Sequence, residues 1–342
     1  MFRNRKRTVG GVGAVLAIAG IAALLSASVS SGSSRKQVRV AFFNPIVANA
    51  FTASQYRGIQ KSVKKMGATV TQFDAGFDQN KQISEIQDAI VSKKFDAFVI
   101  TPVNGAVLVN PTEQAIKAGI KVVAIFNDIG PDLDSIKPQV PGISSVIGQR
   151  LSLNGQYIAQ WMVNACANKN PCNAAYMPGS FKQGTEIIRL NALNKVLKAH
   201  PNIKTVQSAE GGYTAAPALK AATDVLTAHP NLDVFATSGD QMMTGIIQAV
   251  KNAGLSGKIK LVGNGTTIEG VNWVRQGIVL ADPVGVPYTE GVLGAKYAIM
   301  AANGQKVPSS VNELASSPVG PVATKATLST AKGKSFKGQY HG

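Results

Sequence analysis

Two cysteines, three histidines and only 18 acidic side chains in 342 residues leave this chain few of the groups that reactive chemistry needs. His200, His229 and His341 are scattered and share no ligand spacing with Cys166 or Cys172, so neither a metal site nor a cofactor is expected. No G-x-G-x-x-G follows a strand pattern and no G-x-S-x-G occurs; Gly265 to Gly270 has phosphate-loop spacing, but Val271 stands where the loop needs lysine. Glu186 and Asp240 could pair as acid and base only through tertiary proximity. With no nucleophile, base or cofactor cradle in evidence, an enzyme is not expected. Basic residues are not scarce, and the formal net charge is +17. No basic helix interleaved with aromatics accompanies that charge, so a nucleic-acid partner is not expected either.

What is present begins with Arg3, Arg5, Lys6 and Arg7, an apolar run from Val9 to Leu25, and a small-residue segment ending at Ser34. Residues 1–34 have the pattern of an export signal, placing the protein in the periplasm or cell envelope. No cysteine follows the run, which excludes a lipobox-like lipid anchor; no clean A-x-A site occurs, which leaves an uncleaved membrane tether open. Cys166 and Cys172 bracket the turn-rich ANKNP. An oxidising compartment favours a local disulfide there, with two free thiols as the alternative.

With 45% hydrophobic and 15% charged residues, the chain is too apolar for disorder and too long for one ordinary core, so two domains are expected. Short β-rich runs alternate with helical spacing, the pattern of parallel strands with helical crossovers. VRVAFF (38–43), ATVTQF (68–73), FDAFVI (95–100) and KVVAIF (121–126) supply four strands. After Pro131 to Ser145, rich in Pro, Ser and Gly, the pattern restarts: a helix from Leu151 to Ala165, NAAYM (173–177), a helix from Glu186 to Ala199, IKTVQS, a helix to Ala228, LDVFAT, a helix to Ala253 and IKLVG. The expected fold is α/β, with two doubly wound parallel-sheet lobes joined by a multi-crossing hinge. One lobe takes residues 35–145 plus about 286–322 and the other 146–285. Residues 323–342, rich in Gly, Ser and Lys, are expected to be a mobile basic tail.

In open parallel sheets, ligands bind beyond the carboxyl ends of the strands. There the sequence places Asn44, Asn49 and Phe51 after the first strand, and Phe126, Asn127 and Asp128 around the end of the fourth. The second half contributes Gln183, Glu186, Tyr213, Asp240 and Asn264. Amides, carboxylates and rings together suit a small hydroxyl-rich solute, since each buried hydroxyl needs donors and acceptors and a ring packs on its C–H face. The same residue types also cap helices and make turns; Asp240 in particular could cap the helix that carries Met242, Ile246 and Val250.

The stretches VRVAFFNPIVANAF, FDAFVITPVNGAVLVNPTEQAIKAGIKVVAIFND, DVLTAHPNLDVFATSGDQMMTGIIQAVKNAG and IKLVGNGTTIEGVNWVRQGI, in this order from Val38 to about Leu328, resemble the periplasmic sugar-binding proteins of the ribose- and galactose-binding type. The resemblance implies the periplasmic binding protein type I fold, capture of a sugar, polyol or sugar derivative as a monomer, and delivery to an ABC transporter permease. Asn49, Phe51, Phe126 or Asn127, and Tyr213 match its ligand positions, with Asp240 beside the hinge-facing helix. Three departures count against ribose and galactose. Ile187 stands where the family carries an arginine, leaving Arg189 on a more structural position; the family's aspartate is missing, so that either Asn264 substitutes for it or the contact is lost; and Gly285 stands where a glutamine is common. A ligand sensor for a membrane receptor, or a binder of a nucleoside or amino-acid derivative, is the alternative.

Overall fold

The computed structural model describes residues 37–206 and 209–342, so the expected export signal lies outside the described residues. Two six-stranded sheets organise the rest. The first combines β1 (Arg39–Asn44), β2 (Thr69–Asp74), β3 (Ala97–Ile100), β4 (Lys121–Phe126), β5 (Ser145–Gly148) and β11 (Ser310–Asn312), in the order β11-β5-β4-β3-β1-β2. The second combines β6 (Cys172–Met177), β7 (Ile203–Thr205), β8 (Val234–Thr237), β9 (Lys260–Val262), β10 (Val279–Pro283) and β12 (Val322–Thr324), in the order β12-β10-β9-β8-β6-β7. The orders correspond over five strands, with only the edge strands β11 and β12 differing in direction, so the second lobe repeats the first. All pairs are parallel except β10 with β12.

Parallel central strands are covered on both faces, which is why β1 is a continuous apolar run. Phe42 and Phe43 are both fully buried but enter different cores, because successive side chains leave opposite faces of a sheet. Helices α1 (Ala50–Lys65) and α9 (Pro287–Ala302) cover one face of the first sheet, and α2 (Gln79–Ser92) and α3 (Val109–Lys117) the other. In the second lobe α4 (Leu151–Ala165) and α5 (Gly184–Leu197) lie on one face; α6 (Ala215–Ala228), α7 (Asp240–Asn252) and α8 (Ile268–Gln276) lie on the other, followed by the short α10 (Lys325–Ser329). A Cβ on Gly155 would stand 2.2 Å from the Arg189 carbonyl, so α4 and α5 meet backbone to backbone and fix where Arg189 points. A disulfide joins Cys166 and Cys172, Cα atoms 5.6 Å apart, tying the end of α4 to the start of β6.

The lobe boundaries differ from the expected ones in two places. β5 belongs to the first sheet, because Ile129, Val140 and Ile143 anchor the Pro- and Ser-rich stretch in that lobe's core; the chain crosses at Gln149 and Arg150, after β5. Residues 323–342 are not a loose tail. Their few apolar side chains are widely spaced, but Leu328, Phe336 and Tyr340 are all buried, and β12 adds an edge strand to the second sheet. The chain therefore crosses three times: after β5, between β10 and α9, and between β11 and β12. Gln149 Nε2 holds all three together, donating to the Val284 carbonyl (3.1 Å) and to Glu313 Oε1 (2.8 Å).

Candidate functional site

The carboxyl ends of both sheets face one cleft, about 1020 Å³ of empty space including its mouth. The lips meet: the rings of Phe77 and Tyr213 lie 6.2 Å apart across it. On the first lobe three rings, Phe51, Phe77 and Phe126, line the wall beside Pro45, Thr52, Thr101 and Val103. Asn49 caps α1 by accepting from the Phe51 and Thr52 amides, which sets Phe51 at the mouth of the helix. Phe51 packs edge-to-face on Phe126 at 5.3 Å and on Tyr340 at 5.5 Å. Three cavity rings sit on left-handed backbone: Phe77 (φ 62°), Phe126 (φ 72°) and Tyr213 (φ 56°). Bulky residues rarely adopt that conformation, and strain of this kind concentrates at ligand clamps.

The second lobe presents a continuous polar chain. Glu186, buried at 2% exposure, accepts from Arg189 Nη1, from the Tyr213 hydroxyl (3.2 Å) and from the Tyr176 hydroxyl (3.3 Å). Arg189 Nε donates to Asn154 Oδ1 (2.7 Å), Asn154 Nδ2 to Asn264 Oδ1 (2.8 Å), and Asn264 Nδ2 to the Ser238 carbonyl (2.6 Å). Burial works against the Arg189 cation, but Glu186, Tyr176 and Tyr213 together outweigh it and hold the guanidinium above its usual range. Burial, reinforced by Glu186, pushes the Tyr213 hydroxyl up, so it stays protonated and donates to Gln183 Oε1 (2.9 Å). Every bond of this network lies within the second lobe, and its cation and carboxylate neutralise each other.

Beneath the cleft, Thr101 donates to Gln55, and Gln55 Nε2 to Glu290 Oε2 (2.6 Å). Burial, then the neighbouring Glu313, pushes the Glu290 carboxyl well above its ordinary range; burial raises Glu313 to about 7. Glu290 Oε1 and Glu313 Oε2 lack donors among the described residues, which one proton held between the two acids satisfies.

Of the residues expected at the site, Asn49, Phe51, Phe126, Gln183, Glu186, Tyr213 and Asn264 line the cleft. Asn44, Asn127, Asp128 and Asp240 do not; each is buried behind it. Asn44 Oδ1 accepts from the Ile46 amide within its own turn, and Asp128 accepts from the Ile129 amide and from Gln139. Asp240 does not cap its own helix, where Gly239 is the N-cap; it accepts from the Asn264 and Thr267 amides and from the Thr267 hydroxyl, holding the loop before α8. The expected loss of an arginine is also corrected: Ile187 points to solvent at 45% exposure, while Arg189 lines the cleft. Sequence reasoning missed Asn154, Phe77, Gln149 and Tyr340. Asn154 interrupts the buried stripe of α4, a polar residue on an apolar face, and Phe77 follows Gly76 just as Tyr213 follows Gly212; both signals were readable.

A model of the periplasmic binding protein domain matches residues 40–306. The D-allose-binding periplasmic protein of Escherichia coli (strain K12) is 26% identical over 263 residues, covering 76% of this chain and 83% of that protein. The ribose import binding protein of the same organism is 25% identical over 289 residues, 84% of this chain and 92% of that one. Among solved structures, an ABC transporter periplasmic solute binding protein from Actinobacillus succinogenes 130z with bound D-allose superposes with a TM-score of 0.73 at 23% identity, covering 85% of this chain and 99% of that one. The arabinose-transporter binding protein of Shewanella sp. ANA-3, bound to L-arabinofuranose, gives a TM-score of 0.72 at 24% identity, covering 87% and 95%. Matched along most of its length by the family model and folded into the same two lobes as these proteins, the chain belongs to the periplasmic binding protein domain family.

Proposed function

We propose that the protein captures a small, uncharged, hydroxyl-rich solute, a sugar, polyol or sugar derivative, between its lobes outside the cytoplasm and delivers it to an ABC transporter permease. It acts as a monomer and a carrier, with no catalytic step, no cofactor and no nucleic-acid partner. The observation that carries this reading is the hydrogen-bonded chain Glu186–Arg189–Asn154–Asn264 facing Phe51 and Phe126 across the cleft. Hydroxyls bridge guanidinium, amide and carboxylate groups, and the C–H faces of a sugar ring pack on aromatic rings. A net-neutral polar wall disfavours charged solutes, which would bury an uncompensated charge. Hinge closure then follows binding: the solute settles on one lobe, the crossings at Gln149 and Val284–Val286 flex, and the other lobe completes the contacts.

The sugars bound by relatives make the first panel: D-allose, D-ribose, D-xylose and L-arabinose. Because a ligand that binds only the folded state stabilises it, a saturating ligand at 100 times its Kd adds about 2.7 kcal/mol and raises the melting temperature. A shift with a sugar or polyol supports the reading; a shift confined to nucleosides or amino acids replaces it.

A further inference from the structure

We infer that Gly338–Gly342 completes the solute site, with Tyr340 forming the cleft wall nearest the hinge and its neighbours strapping the two lobes together. The inference rests on the reading of the cleft as a sugar site, but its observations lie elsewhere. The segment lies beyond residues 40–306, the stretch that the family model matches.

Adjacent residues of the segment hold opposite lobes. The Gln339 carbonyl accepts from Ser54 Oγ (2.9 Å) and Arg57 Nη2 (3.4 Å) on α1. Its side chain exchanges two hydrogen bonds with Thr289 on α9, accepting from the amide (3.1 Å) and donating to Oγ1 (2.8 Å). All four bonds are to the first lobe. The Tyr340 carbonyl instead accepts from the Ile268 amide (2.8 Å), His341 Nδ1 pairs with Glu269 Oε1 (2.8 Å), and the Gly342 amide donates to Glu269 Oε2 (2.9 Å), all on α8 of the second lobe. A segment bonded to α1 and α9 on one side and to α8 on the other limits how far a hinge motion can separate them.

Between these anchors the Tyr340 ring enters the cleft, 2% exposed, and meets Phe51 edge-to-face. The second lobe makes room for it: a Cβ on Gly265 would lie 2.3 Å from the Tyr340 hydroxyl, and Gly265 holds φ +129°. The phenol thus closes a space that would otherwise extend the cleft toward the hinge. A wall of that kind limits which ring substituents fit, and one methylene in such a pocket changes affinity by about 10–200-fold.

D-Allopyranose is D-ribopyranose carrying one extra hydroxymethyl group, which makes the two sugars a ruler for this wall. Titration calorimetry of the intact chain, Tyr340→Phe and Tyr340→Ala with each sugar measures it. Tyr340→Ala should move the ratio of allose to ribose affinity by about tenfold or more, while Tyr340→Phe, which keeps the ring, moves it less. Equal affinities in all three proteins for both sugars would overturn the wall. The strap has its own readout in small-angle scattering without any sugar, comparing the intact chain with one ending at Lys337, whose Phe336 anchor remains. The shortened chain should show a larger radius of gyration at unchanged helix content by circular dichroism; identical scattering curves would overturn the strap. If the intact chain binds neither sugar, the wall as drawn for this pair falls, the wider sugar and polyol panel decides the sugar reading, and the scattering comparison still decides the strap.

Discussion

The two lobes repeat one topology yet offer the cleft different chemistry. The first contributes rings, Phe51, Phe77 and Phe126, on a backbone strained to aim two of them; the second contributes a hydrogen-bonded chain from Glu186 to Asn264, beside the rings of Tyr213 and Tyr340. Apolar contact is tolerant of position and scales with area, whereas a polar chain demands partners in fixed places. Under the proposed function, the division assigns solute identity to the second lobe and affinity gained on closure to the first.

The largest expected effect breaks the polar side. Arg189→Ala leaves the buried Glu186 carboxylate without its cation, which costs about 3–5 kcal/mol in denaturant unfolding and abolishes solute binding. Replacing both partners, Glu186→Leu with Arg189→Met, should recover much of the stability without restoring binding. Stability restored together with binding would remove the pair from the site.

An intermediate effect belongs to the hinge between the lobes. Burial raises Glu313 from its ordinary 4.5 to about 7, so the fold favours its protonated form. That contribution is complete below about pH 4.5 and is lost as pH rises through about 7, with unfolding free energy falling by about 1.4 kcal/mol per pH unit where the unfolded chain has released the proton and the native chain has not. Glu313→Gln should flatten the decline between pH 5 and 7, in urea titrations run across about that range. An unchanged slope would mean that the proton sits elsewhere.

The smallest effect is on the aromatic side. Phe126→Ala removes one edge-to-face partner of Phe51, worth about 0.5–1.5 kcal/mol, and should weaken every bound sugar by a similar factor. A change in the ranking of sugars, rather than a uniform loss, would move part of the selectivity to the first lobe.

The lobes were also unequally legible in the sequence. The buried parallel strands announce themselves as continuous apolar runs such as VRVAFF and KVVAIF, and both crossover patterns follow from them. β5, β11 and β12 are three or four residues each and carry no such run, so the third crossing was invisible. Site residues at strand ends and helix starts, such as Phe51, Phe126 and Asn264, follow from topology. Asn44 and Asp240 satisfy that rule equally well and yet serve turns and loops, because the residues that bind a solute also bind backbone amides. Tyr340 had no local signal: its place depends on contacts with Ser54, Thr289 and Glu269 through its neighbours, and only the folded chain brings these together.

The most direct measurement is small-angle scattering of the intact protein with and without a saturating sugar that binds in the calorimeter. Closure of the two lobes around the solute predicts a smaller radius of gyration in the bound protein, with a curve matching the closed arrangement in which Phe77 meets Tyr213. A sugar that binds tightly while the scattering stays unchanged would contradict it.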